Sequence, residues 1–159
     1  MSLESVQAWF AARAPDIALI DNGTSTATVA EAAVALGVAP AQIAKTLSLR
    51  LKDEVVLVVT RGDARLDNRK TKDRFGARPR MLGAEEAEAI TGHPVGGICP
   101  FGLATPLAVY CDVSLRDFDR VYPAAGSRTA SVCLTPQHLF DLVGADWVDI
   151  CSFAEADAG

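Results

Sequence analysis

The clearest pattern lies in the first half of the chain, where Leu47, Leu49 and Leu51 alternate with Ser48 and Arg50. A period of two puts the leucines on one side of an extended segment, so residues 45–51 are expected to form a β-strand with one buried face. Lys52 and Asp53 make a tight connection to the run Val55, Val56, Leu57, Val58 and Val59. That run is apolar on both sides, which predicts a central strand over 54–60, paired with the first as a hairpin. Helices are read from spacing and punctuation. Val6 and Phe10 share a face of a first helix that Ser2 or Ser5 caps and Pro15 closes. Thr28 caps a helix through residue 35 that Gly37 ends. Further helices are expected over 67–75, ended by Gly76, and over 84–90, ended by Gly92. Thr135 followed by Pro136 opens a last helix to residue 143, ended by Gly144. Residues 40–44 read as a single helical turn. Short strands are expected over 17–20, before the Asn22-Gly23 turn, and over 107–113, 131–134 and 147–151. Residues 92–106, rich in glycine and proline, are the main irregular segment. Residues 153–159 should fray as a C-terminal tail.

Helices and strands do not alternate regularly, and the sequence holds no internal repeat, G-x-G-x-x-G or P-loop. This order implies one α+β domain over residues 1–152, a curved mixed sheet with helices packed around it. A length of 159 residues suits a single domain, and 50% hydrophobic with 22% charged residues suits a folded chain rather than a disordered one. No apolar run approaches the roughly 18 residues that span a bilayer, and the N-terminal MSLESVQAWF has no basic stretch followed by an apolar one. The expectation is a cytoplasmic protein without a membrane partner. Cys99, Cys111, Cys133 and Cys151 form no C-x-x-C pair, so they read as small buried thiols rather than metal ligands.

Charge changes the picture locally. The formal net charge is −5, yet residues 61–80 hold eight of the fifteen lysines and arginines against three acids. That segment is +5 and the rest of the chain −10. Arg69, Lys70, Lys72, Arg74, Arg78 and Arg80 are the candidate phosphate-facing residues within it. The alternative is a solvated helix and loop of mixed charge.

Candidate chemistry is sparse. His93 precedes a proline in the irregular segment and His138 sits inside the last helix; neither belongs to H-E-x-x-H, and no G-x-S-x-G elbow occurs. Cys99 lies near His93 in sequence, which by itself says little about a thiol–imidazole pair. Two features stand out. Lys45 enters an otherwise leucine-lined strand, where an ammonium either snorkels to solvent or points into a site. Gly96, Gly97, Ile98, Cys99 and Pro100 form a constrained loop whose backbone N–H groups can hold an oxyanion without any side chain.

The stretches GVAPAQIAKTLSLR, TGHPVGGICPFGL, LAVYCDVSL and AAGSRTASVCLTPQHL, in that order, resemble the YbaK/prolyl-tRNA synthetase-associated editing domains, over roughly residues 5–150. The most specific parts are the Ala44-Lys45-Thr46-Leu47 step and the Gly96-x-x-x-Pro100 loop. The resemblance implies a compact domain with a partly open, barrel-like mixed sheet. It also implies a free-standing hydrolase that removes a wrong small amino acid from tRNA, chiefly tRNA(Pro). No metal or cofactor is implied. The expected partners are the acceptor end of the mischarged tRNA and prolyl-tRNA synthetase. The family lysine maps to Lys45, the family loop to residues 96–100, and a pocket segment to Gly126 and Ser127, with Thr46 beside the lysine. Some members carry a histidine shortly after that Gly-Ser; here Ala130 and Ser131 occupy the region.

An aminoacyl ester is already activated, so hydrolysis needs a positioned water and a held oxyanion rather than a protein nucleophile. On this reading Lys45 holds the substrate's phosphate or carbonyl end, and the loop amides hold the carbonyl oxygen. Two rival readings remain at this point: a module that binds aminoacyl-tRNA or a synthetase without hydrolysis, and a small-molecule hydrolase built on the Cys99 thiol.

Overall fold

Helix α1 (Ser2–Arg13) buries Val6 and Phe10, as their spacing requires, against a core that also holds Phe101. The rings of Trp9, Phe10 and Phe101 meet with centroids 4.7–5.2 Å apart. Burying an aromatic of this kind contributes about 2–3 kcal/mol. The computed structural model describes residues 2–153. After β1 (Ile20–Asp21) comes α2 (Val29–Leu36), whose N-cap Thr28 accepts from the Glu31 amide and whose C-cap Gly37 takes the left-handed conformation. A 3-10 turn (Pro40–Gln42) leads into β2 (Ile43–Leu51) and β3 (Glu54–Arg61), an antiparallel hairpin registered Lys45 to Thr60 and Leu49 to Val56. Lys52, at the tip, has φ +56°.

The remaining elements in order are β4 (Ala64–Leu66), α3 (Asn68–Phe75), β5 (Arg80–Met81), α4 (Ala84–Thr91) and β6 (Ala108–Asp112). Then follow β7 (Tyr122–Pro123), β8 (Ala130–Ser131), α5 (Pro136–Val143), β9 (Asp146–Val148) and β10 (Cys151–Phe153). The main sheet runs β5-β2-β3-β6-β9, with β7 also bonded to β2. β3 is flanked by β2 and β6, which explains why its valines are buried on both sides. The antiparallel β2–β3 and parallel β3–β6 and β6–β9 pairs make the sheet mixed, and it does not close into a barrel. The fold is therefore the expected α+β domain.

Two hydrophobic clusters sandwich this sheet. Ala44, Leu57, Val59, Val109 and Cys111 face α1 and the loop around Phe101. Leu49, Leu51, Val56 and Val58 face β4, Ile150, Cys151 and Phe75 of α3.

Several expectations shift. Residues 147–151 are not one strand: β9 ends at Val148 and β10 begins at Cys151, in a different sheet. Between them the Ile150 N–H donates to the Asp112 carboxylate (2.8 Å) and the Ile150 carbonyl accepts from Asp67 (2.8 Å), so the chain leaves the main ladder there. Phe153, assigned to the tail, instead pairs with Ala64; the tail from residue 154 lies outside the described residues. The strand expected at 17–20 is only Ile20–Asp21, and that at 131–134 shrinks to Ala130–Ser131. Ser48, placed on a polar face by alternation, is buried (4% exposed), so β2 is covered on both sides.

Candidate functional site

On the side away from β3, β2 has two short partners. Its start, Ile43-Ala44, pairs with β7, and Leu49-Arg50 near its end pairs with β5. Between those contacts lies a gap. The Ser48 carbonyl accepts from Leu82 (3.1 Å), which shows which way the even-numbered residues turn their backbone groups; Thr46, two residues away, turns its own toward the same side. A cavity of about 250 Å³ fills the gap. Its wall gathers distant segments: Thr26 to Val29 at the start of α2, Ile43 to Thr46 and Ser48 of β2, Met81 and Leu82, Ala87 of α4, Val95, Gly96 and Ile98, then Tyr122, Ala124 and Ser131. No carboxylate stands on this wall among the described residues.

The structure thus brings Lys45, Thr46, Gly96 and Ile98 to one cavity. Lys45 lines it at the edge, but the strand's alternation sends its side chain to the leucine face, where the ammonium donates to the Ala64 carbonyl of β4. An ammonium carries three donors, so this bond leaves two. Partial burial lowers the Lys45 pKa from the ordinary lysine value, with Cys151 and Asp63 nearby acting in the opposite direction.

The loop is more specialised than its composition suggests. Gly96 has φ +94°, and a Cβ there would come within 2.8 Å of the Ala27 Cβ. A Cβ on Gly97 would stand 2.8 Å from the Ser127 nitrogen and 2.9 Å from its Cα. That close approach joins residues 96–100 to Gly126 and Ser127, and the Gly126 N–H donates to the Gly97 carbonyl (3.1 Å). The Gly97 N–H itself donates to Pro94 (2.8 Å). That N–H is engaged within the loop, and the missing side chain at Gly97 lets Ser127 approach. Gly97, Cys99, Pro100, Gly126 and Ser127 do not line the cavity.

Cys99 is completely buried, and its thiol is pushed up to about 12 by desolvation. Its Sγ–H donates to the Phe101 carbonyl at 3.7 Å, and His93 Nε2 donates to the same oxygen at 2.7 Å. The two share an acceptor rather than forming a nucleophile–base pair, and burial lowers the His93 pKa from its ordinary value. This geometry argues against thiol catalysis.

The basic residues occupy another part of the surface. Arg69, Lys70, Lys72 and Arg74 ride on α3, and Arg78 and Arg80 follow it; all six are exposed and none lines the cavity. Lys70 is engaged with Asp149 (3.3 Å) and the Cys151 carbonyl (3.0 Å), and Arg74 lies over the rings of Phe75 and Tyr110. Arg61, at the start of the same charge run, is tied to Asp63 and Asp117 and serves the fold.

Ser48, Leu82, Tyr122 and the start of α2 also line the cavity, without a local sequence signal that marks them as site residues. Their positions depend on β5 and β7, two-residue strands that no local pattern announces. Ser48, a small polar residue among leucines, was the one visible trace.

The family model described as "Aminoacyl-tRNA editing domain" matches residues 24–142. The chain is 44% identical to the uncharacterised protein YwhH of Bacillus subtilis (strain 168), covering 95% of this chain and 98% of that one. It is 27% identical to EbsC of Enterococcus faecalis (strain ATCC 700802 / V583), named as a candidate Cys-tRNA(Pro)/Cys-tRNA(Cys) deacylase, over 85% of this chain and 82% of that one. A crystal structure of a candidate trans-editing enzyme for prolyl tRNA synthetase superposes with a TM-score of 0.87 at 32% identity, covering 95% and 97% of the two chains. With a family match over most of its length and a fold shared with such relatives, the chain belongs to the aminoacyl-tRNA editing domain family.

Proposed function

We propose that the protein is a trans-acting aminoacyl-tRNA deacylase that hydrolyses the ester of a small, wrongly attached amino acid, with tRNA(Pro) as the principal tRNA. The observation that supports it best is the meeting of Lys45, Gly96 and Ile98 at one small, largely apolar cavity in a chain of this family. The names of EbsC and of the trans-editing relative favour tRNA(Pro) and a working association with prolyl-tRNA synthetase.

In this reading the acyl group enters the cavity and the terminal ribose stays at its mouth. The Lys45 ammonium, on the other face of β2, uses its two open donors on the phosphate end of the substrate, as a compact charge on a flexible stem. The amides of Gly96 and Ile98 hold the carbonyl oxygen as it becomes an oxyanion. A water ordered by the free ribose hydroxyl attacks the carbonyl carbon and the ester C–O bond breaks. The water's proton ends on the departing ribose oxygen, giving a free amino acid and an uncharged tRNA. Desolvation of the site strengthens each of these contacts. The residues of α3 and its C-terminal flank, Arg69, Lys72, Arg78 and Arg80 above all, meet the acceptor-stem phosphates.

The test is a panel of mischarged tRNAs incubated with wild-type protein and with Lys45→Ala. Hydrolysis by the wild type, reduced at least about a hundredfold in the variant, is the expected result. Tight tRNA binding without hydrolysis of any ester would replace the enzyme reading with the binding-module reading.

A further inference from the structure

Four large apolar side chains stand exposed among the described residues, and two of them, Met81 (53%) and Val95 (46%), line the same cavity. Their exposure puts them at its rim. Apolar groups left in water at the edge of a pocket mark a contact surface. Arg128 stands beside Val95. Its Nε–H donates to the Val95 carbonyl (2.9 Å), and its Cγ is 3.2 Å from where a Cβ on Gly96 would stand. Its own carbonyl accepts from the Thr26 N–H (2.6 Å) and from the Thr26 hydroxyl (3.2 Å), and Thr26 is on the cavity wall. These bonds hold both its backbone and the base of its guanidinium. A guanidinium has five N–H donors, so those on the two terminal nitrogens of Arg128 remain open, without a partner among the described residues. Arg128 is exposed and forms no ion pair among the described residues, unlike Arg50 and Arg61, which are tied to carboxylates.

We propose that Arg128, Val95 and Met81 form the site for the terminal nucleotide of the RNA. Arg128 holds its phosphate, and the two apolar side chains pack on its base; this rests on the deacylase reading above. The occupant follows from the size of the cavity and the chemistry of its rim. At about 250 Å³ the cavity is smaller than the roughly 300–1,000 Å³ of pockets that enclose a drug-sized ligand. It takes a small acyl group, and the nucleoside that carries the group lies at the rim. A fork of open N–H donors matches a phosphate. A nucleobase offers an apolar face, and a polarisable methionine thioether packs well on an aromatic ring. The exposed Arg80, next to Met81 in β5, brings the basic surface up to the same rim.

The experiment measures binding of one uncharged tRNA with and without its 3′-terminal adenosine, alongside hydrolysis of the same tRNA when mischarged. The wild type is expected to bind the complete tRNA at least about tenfold more tightly than the shortened one. Arg128→Gln should bring that ratio to within about threefold, and Arg128→Lys, which keeps the charge, should recover most of it. Met81→Ser combined with Val95→Ser should lower the ratio by about threefold or more. A purely structural Arg128 would instead weaken both tRNAs equally in Arg128→Gln, with no rescue by lysine, and that result overturns the proposal. A wild type that hydrolyses mischarged tRNA yet binds the two tRNAs equally overturns it while leaving the deacylase reading in place. A wild type that hydrolyses no mischarged tRNA removes both.

Discussion

On one face of β2, Ala44, Thr46 and Ser48 border a cavity whose wall bears no described carboxylate; on the other, Leu47, Leu49 and Leu51 pack beneath β4 and α3, whose outer surface is basic. The first face suits a small uncharged group, and the basic surface over the second has the charge that attracts phosphate. Lys45 belongs to both: it borders the cavity, and its ammonium emerges among the groups of the second face, on the Ala64 carbonyl. The difference suggests a division of labour in which the shape of the cavity selects the acyl group, while charge outside it gathers the RNA. Neither face is complete without the gap between β5 and β7, since a continuous neighbour along β2 would close the cavity.

Perturbing the cavity side should have the largest effect. Gly97→Ala places a Cβ against the Ser127 backbone, which has no flexible end to yield. Overpacking of this kind costs about 1–3 kcal/mol, so the melting temperature should fall by several degrees and deacylation by more than about tenfold. A variant with unchanged melting and rate would show that the close approach of the two loops is not needed. On the basic side the effect should be smaller and of another kind. Replacing Arg78 and Arg80 together by glutamine should raise KM by about tenfold with little change in kcat, and lower the salt dependence of tRNA binding by about two phosphate contacts. Binding that ignores both salt and these changes would move the RNA to another surface.

The smallest effect is expected at Cys99. Cys99→Ala should keep activity within about threefold at a stability cost of about 1 kcal/mol, and alkylating reagents should leave wild-type turnover intact under native conditions. Near-complete loss with an unchanged fold would revive thiol chemistry.

Much of the fold was legible because its signals are local. Thr28 with Gly37, Asp67 with Gly76, and Thr135-Pro136 with Gly144 mark helix ends by hydrogen bonds within a few residues, and the structure keeps all three. The hairpin was legible because a period of two and a five-residue apolar run need no distant partner to be recognised. The short strands β4, β5 and β7 were not, because two or three residues carry no period and their pairing depends on chain far away. The same reason explains the site. Lys45 and the Gly96 loop could be named from sequence, but the cavity they border exists only once Ala27, Ala87 and Ile98 come together from distant parts of the chain. Gly97 shows the converse: its glycine was visible, whereas its N–H is spent on Pro94, a fact of the folded loop alone.

The most direct test of the central claim is single-turnover hydrolysis of mischarged tRNA by Lys45→Met, followed together with its thermal melting. Removing the half-buried ammonium relieves its desolvation but takes the donor from the buried Ala64 carbonyl, so the two effects oppose and melting should shift by no more than a few degrees. The hydrolysis rate should nevertheless fall by about a hundredfold or more. A rate within a few-fold of wild type, in a protein that melts normally, would contradict the account.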